Sequence, residues 1–287
     1  MTEHEHPTRD TSAVPVSVVV PTRNRARYLE VALASLRAQR DAPAHEIVVV
    51  DDGSTDDTRA VAAAYDVRVE PVRGSGLNAA RNTGVATTTG AIVAFVDDDV
   101  WVPPDWLAAV VAGADAHPQA DAFGGPICVR LEGPAPAGWR QAPPITSLDL
   151  GESDREADMA WGANFAVRRS ALDRLGGFDE AIGGHGDEEE WLLALRRSGG
   201  RIVYLAAAGL DHRRAGDDSR LRCLMRAAYF RGRGARRTDE RRGVAPSPAR
   251  ELRDVAGSLW HAARNVTPQG FVMAAHSAGR LRQGLGR

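Results

Sequence analysis

From Val16 onward, short apolar runs alternate with helical stripes. "VSVVV" (16–20) is rich in β-branched residues, as a strand buried on both faces is. "PTRNR" breaks the run, and "YLEVALASLRAQ" then sets Leu29, Ala32, Leu33 and Leu36 on one helical face. "EIVVV" predicts a second buried strand. It closes in "DDGSTDD", where Asp52, Ser54 or Thr55 is placed to cap a helix over "DDTRAVAAAY". "VRVEPV" predicts a third strand, "GLNAARNTGVATT" a helix and "AIVAFV" a fourth strand. This alternation predicts an α/β fold with a mainly parallel sheet flanked by helices.

Ligands of such sheets bind at the C-terminal ends of the strands. Polar groups gather there: Thr22, Asn24 and Arg25 after the first strand, Asp51 and Asp52 after the second, Asp97, Asp98 and Asp99 after the fourth. Each group has a plain reading as turn, cap or solvated loop. Three successive carboxylates repel one another, however, unless positive charge sits on them. Carboxylates at a strand end suit a hard divalent cation, Mg2+ or Mn2+, carrying a phosphorylated substrate.

Further along, "WVPPDWLAAVVAGADAHP" predicts a helix with proline at its start. Residues 132–158, with Gly133, Pro134, Pro136, Pro143 and Pro144, predict a long loop that is mobile until ligand binds. "GDEEEWLLALRRSGG" predicts an amphipathic helix with Trp191, Leu192 and Leu195 on its apolar side, and "RIVYLA" a strand before "LDHRR". From Ser219 the chain is Arg-rich and helical, broken near "GVAPSPA", with two further helical stretches after it. Leu221, Leu224, Met225 and Ala228 share one side of the first of these helices. That side either packs on the domain or meets an anionic membrane.

The 287 residues are 43% hydrophobic and 26% charged, with a net charge of −2. Every strongly basic residue is arginine. The balance shows no global bias toward nucleic acid, and no reading motif accompanies the basic C-terminal segment, so nucleic acid is not an expected partner. Cys128 and Cys223 stand alone, in neither metal nor disulfide spacing, which predicts a reducing compartment. The polar N-terminus, residues 1–14, reads as a disordered tail without a signal-peptide apolar region, and His4 and His6 belong to it. A cytoplasmic protein, at most touching the inner face of the membrane, is the expectation.

"VSVVVPTRNR", "EIVVVDDGSTDDT", "GLNAARNTG" and "AIVAFVDDD" together resemble the family 2 glycosyltransferases in order and spacing. "WGANFAVRRSAL", "GGFDE…GDEEEWLLALRRSGGRI" and "LDHRR" extend the likeness to about residue 215. The resemblance implies a GT-A-like, Rossmann-related fold over 15–215. A nucleotide-sugar half would run to about 130 and an acceptor and catalytic half over about 131–215, with 216–287 a helical extension outside it. It also implies an inverting, metal-dependent transfer of sugar from a nucleoside-diphosphate sugar to an acceptor hydroxyl on a small molecule, glycan or lipid. Pro21, Thr22, Asn24, Arg25, Asp51, Asp52 and Arg81 would then lie on the donor side. Asp97 and Asp98 would face the ribose and diphosphate, and Asp99, with Asp97 and His212, would hold Mn2+ or Mg2+.

The family's Glu-Asp pair falls on Asp187-Glu188, with the acids swapped. Glu188 takes the position of the base, Asp187 is the alternate, and like-charge neighbours Asp187, Glu189 and Glu190 are expected to raise its pKa. Gly162, Asn164 and His185 are further candidates near the acceptor, Trp101 and Trp161 for stacking on sugar, and Arg213 and Arg214 either grip the diphosphate or form a solvated pair. Two rival readings are a sugar nucleotidyltransferase, whose usual Gly-rich N-terminal loop "PTRNRARY" does not show, and a non-catalytic nucleotide-sugar-binding protein.

Overall fold

The computed structural model describes residues 15–139, 146–182, 187–265 and 267–286, with Asp187 described by its backbone alone. The expected N-terminal tail and His185 lie outside the described residues. β1 (Val16–Thr22) runs parallel to β2 (His45–Asp51), which is parallel to β3 (Arg68–Pro71). On its other side β1 is parallel to β4 (Ile92–Val96). The crossovers are α1 (Ala26–Arg37), α2 (Thr58–Ala64) and α3 (Leu77–Thr87). Val16, Val18 and Val20 pack with Leu29, Ala32 and Leu33 in one core, while Val19 joins Phe95, Phe165 and Trp191 in another on the opposite face. Burial on both faces is why the strands read as unbroken apolar runs.

The sheet continues through shorter elements. After β5 (Val100–Trp101) and α4 (Trp106–Ala116) come β6 (Ala122–Gly124), β7 (Ile127–Leu131), β8 (Arg155–Glu156) and β9 (Asn164–Arg168). Then follow α5 (Arg169–Leu175), α6 (Asp187–Arg197), β10 (Ile202–Tyr204) and β11 (Leu210–Arg214). The eight-stranded order is β3-β2-β1-β4-β9-β6-β10-β8, in which β9 and β8 are antiparallel to their neighbours. β5, β11 and β7 form a second, three-stranded sheet. Its β11–β5 pairing sets His212 opposite Val100, one residue beyond Asp99.

Three local expectations are corrected. Asp52, Ser54 and Thr55 do not cap α2. Asp56 Oδ1 accepts the Thr58 N–H at 3.1 Å, and the Ser54 N–H instead closes the loop onto Asp51 Oδ1 at 2.8 Å. Pro103 and Pro104 precede α4 instead of opening it, and the Trp106 N–H turns back to the Pro103 carbonyl. The 132–158 segment is not one long loop. Leu148 bridges Ile127, β8 joins the large sheet and Trp139 packs on the C-terminal helices, while residues 140–145 lie outside the described part.

The extension is a bundle of α7 (Leu221–Arg241), α8 (Pro248–Asn265) and α9 (Pro268–Leu285). Leu221, Leu224, Met225 and Ala228 pack on Val129, Leu131, Trp139 and Val272, so this side of α7 is covered by protein and does not meet a membrane. Glu251, 1% exposed, takes Arg236 of α7 at 3.0 Å and Arg280 of α9 at 3.2 Å, which ties all three helices through one carboxylate. α7 and α9 approach backbone to backbone. A Cβ on Gly232 would meet the carbonyl of His276, and one on Gly279 the carbonyl of Tyr229. Among the described residues no helix is long and apolar enough to cross a membrane.

Gly279→Val should therefore force the helices apart and cost about 1–3 kcal/mol, the range for overpacked interiors. Urea denaturation checks this. An unchanged midpoint would mean the two helices are not held at backbone contact.

Candidate active site

The register of β1 and β4, Val16 opposite Ile92 through Val19 opposite Phe95, brings their C-terminal ends side by side. Thr22 Oγ1 donates to Asp98 Oδ2 at 2.7 Å across that junction. Arg25, in the loop after β1, reaches both neighbouring acids, with Nε 3.1 Å from Asp98 Oδ1 and Nη2 2.7 Å from Asp99 Oδ2. From the other side, the Arg213 N–H donates to the Asp99 carbonyl at 2.8 Å, which locks β11 against the acidic turn. Arg214 Nη1 then lies 2.6 Å from Asp99 Oδ2, and His212 Nε2 3.0 Å from Asp99 Oδ1.

The partners divide the three acids. Burial works to raise the Asp99 pKa, but the charges of His212 and Arg214 overcome it and hold the carboxyl well below its usual range. Burial pushes Asp98 up to about 7 against the pull of Arg25, and burial together with the Asp99 charge pushes Asp97 up. Burial would lower Arg25, yet Asp99 and Asp98 hold its pKa above the ordinary arginine value.

The donor set fits a divalent cation. Ligand atoms of Asp97, Asp99 and His212 all lie within 4.8 Å of one another. His212 Nε2 lies 3.0 Å from Asp99 Oδ1 and 3.2 Å from Arg214 Nη1, and its Nδ1 faces the Thr146 carbonyl at 3.4 Å. Two carboxylates and an imidazole nitrogen are donor types that Mn2+ or Mg2+ accepts.

These groups open onto a cavity of about 590 Å³. Glu188, from the first turn of α6, lines it at 7% exposure. Its Oε1 accepts the Gly162 N–H at 2.9 Å, and Arg81 Nη1 sits 3.6 Å from its Oε2. A Cβ on Gly162 would strike Arg81 Nη2 and come within 3.2 Å of the Glu188 carboxyl carbon, so glycine is needed for this close approach.

Residues 17–176 match the family model "Glycosyl transferase family 2". The chain belongs to glycosyl transferase family 2. It is 33% identical over 248 residues to a pre-mycofactocin glycosyltransferase of Mycobacterium tuberculosis, covering 81% of this chain and 49% of that protein. It is also 33% identical over 215 residues to a validoxylamine A glucosyltransferase of Streptomyces hygroscopicus, covering 62% and 47%. The chain thus spans about half the length of these relatives. A solved mannosyltransferase from Pyrobaculum calidifontis, in complex with GDP-Man and Mn2+, aligns with a TM-score of 0.64 at 20% identity, over 96% of this chain and 89% of that one. S. aureus TarS 1–349, in complex with UDP-GlcNAc, aligns at 0.55 with 18% identity, over 95% and 92%. The fold is GT-A.

Within this family 2 frame, Pro21, Thr22, Arg25, Asp52, Arg81, Asp97, Asp98, Asp99, Glu188 and His212 all border the cavity, as do Trp161 and Gly162. Asn24 and Asp51 border its loops instead. Asn24, at a φ of 54°, accepts the Thr55 N–H at 2.7 Å, and Asp51 is buried against Ser54 and Arg59. Asn164 is structural, bonding Trp106 Nε1 and the carbonyls of Pro126 and Ala208. Trp101 lines a separate groove beside α1. Arg213 and Arg214 do not act as a pair: Arg213 is buried on Glu132, and Arg214 faces the acids.

Glu189 and Glu190 turn to Arg242 at 2.8 and 2.9 Å, and the Asp187 side chain lies outside the described residues. Sequence reasoning missed Arg231, Thr238 and His276, which reach the cavity from the extension. The available signal was spacing: Arg231, Ala235 and Thr238 continue the helical face begun by Leu224 and Ala228.

Removing Arg25 should expose the charge problem directly. Arg25→Met leaves Asp98 and Asp99 short of a cation and should cost about 1–3 kcal/mol in EDTA, discounted from the cost of a broken buried pair because the guanidinium is partly exposed. Mn2+ should restore part of the loss. Denaturation curves with and without Mn2+ check this, and identical losses in both would sink the view that a cation shares the same carboxylates.

Proposed function

We propose that the protein transfers a sugar, with inversion, from a nucleoside-diphosphate sugar to an acceptor hydroxyl, using Mn2+ or Mg2+. One observation carries this reading: Glu188 and the Asp97, Asp99 and His212 set open onto the same cavity in a family 2 chain. The nucleotide sugars and Mn2+ named for the solved neighbours support it.

The residues divide the work. Thr22 and Asp52, at adjacent strand ends, stand on the nucleoside side of the cavity. Asp97, Asp99 and His212 would hold the cation, which when bound offsets charge growing on the departing nucleoside diphosphate. The acceptor oxygen bonds to the anomeric carbon as the carbon–oxygen bond to phosphate breaks. The electron pair leaves with the nucleoside diphosphate, and the acceptor proton passes to Glu188. The Gly162 N–H fixes that carboxylate and Arg81 balances its charge, so the fold orients it toward the cavity before substrate arrives.

A panel of UDP-, GDP- and dTDP-sugars with Mn2+ or EDTA tests the reading. Donor binding should need the cation, and Glu188→Gln should keep binding while turnover falls about 10²-fold or more. Binding that ignores EDTA would remove the cation. Normal turnover in Glu188→Gln would move the base to Asp187, and donor binding without any transfer or donor hydrolysis would favour the non-catalytic alternative.

A peripheral membrane contact has a separate footing, on α8. Leu252, Leu259 and Trp260 are exposed there at 58%, 48% and 63%, on one stripe with Ala256 and Ala263. Arg253 and Arg264 edge the stripe, and Arg264 stacks 5.2 Å over Trp260. An apolar stripe with one basic edge suits an anionic interface, where a lipid-linked acceptor would be met. Co-sedimentation with anionic vesicles at low salt should capture the protein, and Trp260→Glu should release it. No capture even at low salt would overturn this contact.

A further inference from the structure

Arg231 is the basic group of the cavity that the site leaves unexplained. Its Nε and Nη1 are buried without a hydrogen-bond partner, although the side chain lines the cavity wall. Burying a guanidinium is unfavourable unless it is paired. Burial and the nearby Arg214 charge push its pKa down to about 10, against the pull of Asp99 and Asp97, so it lies within electrostatic reach of the metal-binding acids.

Those acids do not take it up. Asp99 Oδ2 already receives Arg25 and Arg214, and its Oδ1 faces His212. Beside Arg231, α9 presents His276, whose pKa burial and the neighbouring Arg280 and Arg231 push down to about 4. A neutral ring cannot serve as its counter-ion. Among the described residues Arg231 is therefore surplus positive charge, with Nε and Nη1 buried and no anion bonded to them.

We propose that Arg231, from a helix beyond the family match, forms an oxyanion subsite for the donor's diphosphate, opposite the cation held by Asp97, Asp99 and His212. This rests on the donor reading above. The chemistry follows from geometry. The diphosphate must lie against the cation, and the Arg231 wall closes the same cavity within reach of the same acids. A guanidinium presents several donors in a fixed fork to phosphate oxygens, and it keeps its charge throughout. It would hold the ground-state diphosphate and the departing nucleoside diphosphate alike.

The test compares the full chain with Arg231→Gln and Arg231→Lys, each checked for an unchanged urea midpoint. Calorimetry with Mn2+ measures UDP, GDP and dTDP, the matching monophosphates, and inorganic pyrophosphate. For the nucleoside diphosphate that wild type binds, and for pyrophosphate, Arg231→Gln should weaken affinity about 10- to 100-fold, the size of a lost charge-assisted bond. The monophosphate should change less than about 3-fold, and Arg231→Lys should fall between because it keeps the charge without the fork. Equal diphosphate affinity in a folded Arg231→Gln overturns the subsite while leaving the donor reading intact. Equal weakening of mono- and diphosphates also overturns it, by placing Arg231 on another part of the nucleotide. A wild-type chain that binds none of the three diphosphates with Mn2+ overturns the donor reading, and the subsite with it.

Discussion

Everything at the strand ends answers to one constraint, the compensation of three successive carboxylates in a buried turn. Unpaired, each would cost several kcal/mol, which no small local rearrangement could offset. The chain draws compensation from separate places: Arg25 after β1, and His212 and Arg214 on β11. The second sheet follows from this need, because β5 extends the acidic turn and pairs with β11. Within the turn the acids face different partners. Asp98 turns back to Thr22 and acts as a strut between β1 and β4. Asp97 and Asp99 bring carboxylate oxygens within 4.8 Å of a His212 ring nitrogen.

The parallel half of the fold was legible because its signal is local. A strand buried on both faces must be apolar throughout, and the crossover helices must carry a stripe, so β1 to β4 and α1 to α3 can be read residue by residue. The later strands were harder to read. β6 has three residues and β9 lies within "WGANFAVRRSAL", where Asn164 is buried through side-chain bonds to Trp106, Pro126 and Ala208. A polar residue satisfied by partners far along the chain carries no periodic mark. The same limit explains Asn24 and Asp51. Their residue types suit a binding loop and a tight turn equally, and the structure shows both side chains bonded within the turn.

Glu188 shows how type and environment separate. Four successive acids at the head of a helix suggest mutual repulsion. Helical geometry splays the three whose side chains are described, and they meet different arginines. Glu188 points inward to the Gly162 N–H and Arg81, while Glu189 and Glu190 point to Arg242 beyond the end of α7. The pairs of Glu189 and Glu190 with Arg242 join the first turn of α6, which carries Glu188, to the end of α7.

This gives the C-terminal bundle a place in the site that its sequence did not suggest. The helical face of α7 changes role along its length. Leu224 and Ala228 pack on β7 and Trp139, whereas Arg231, Ala235 and Thr238 wall the cavity. The buried Glu251, held by Arg236 and Arg280, keeps α8 and α9 against that wall. Gly232 and Gly279 let α9 come close enough for His276 to reach the cavity as well. The family match ends at residue 176, but the cavity is closed by residues up to 276. Family membership thus accounts for the strand-end acids, while the extension shapes the wall opposite them. Differences in what a member of the family accepts can arise from such a wall without any change in the acids themselves.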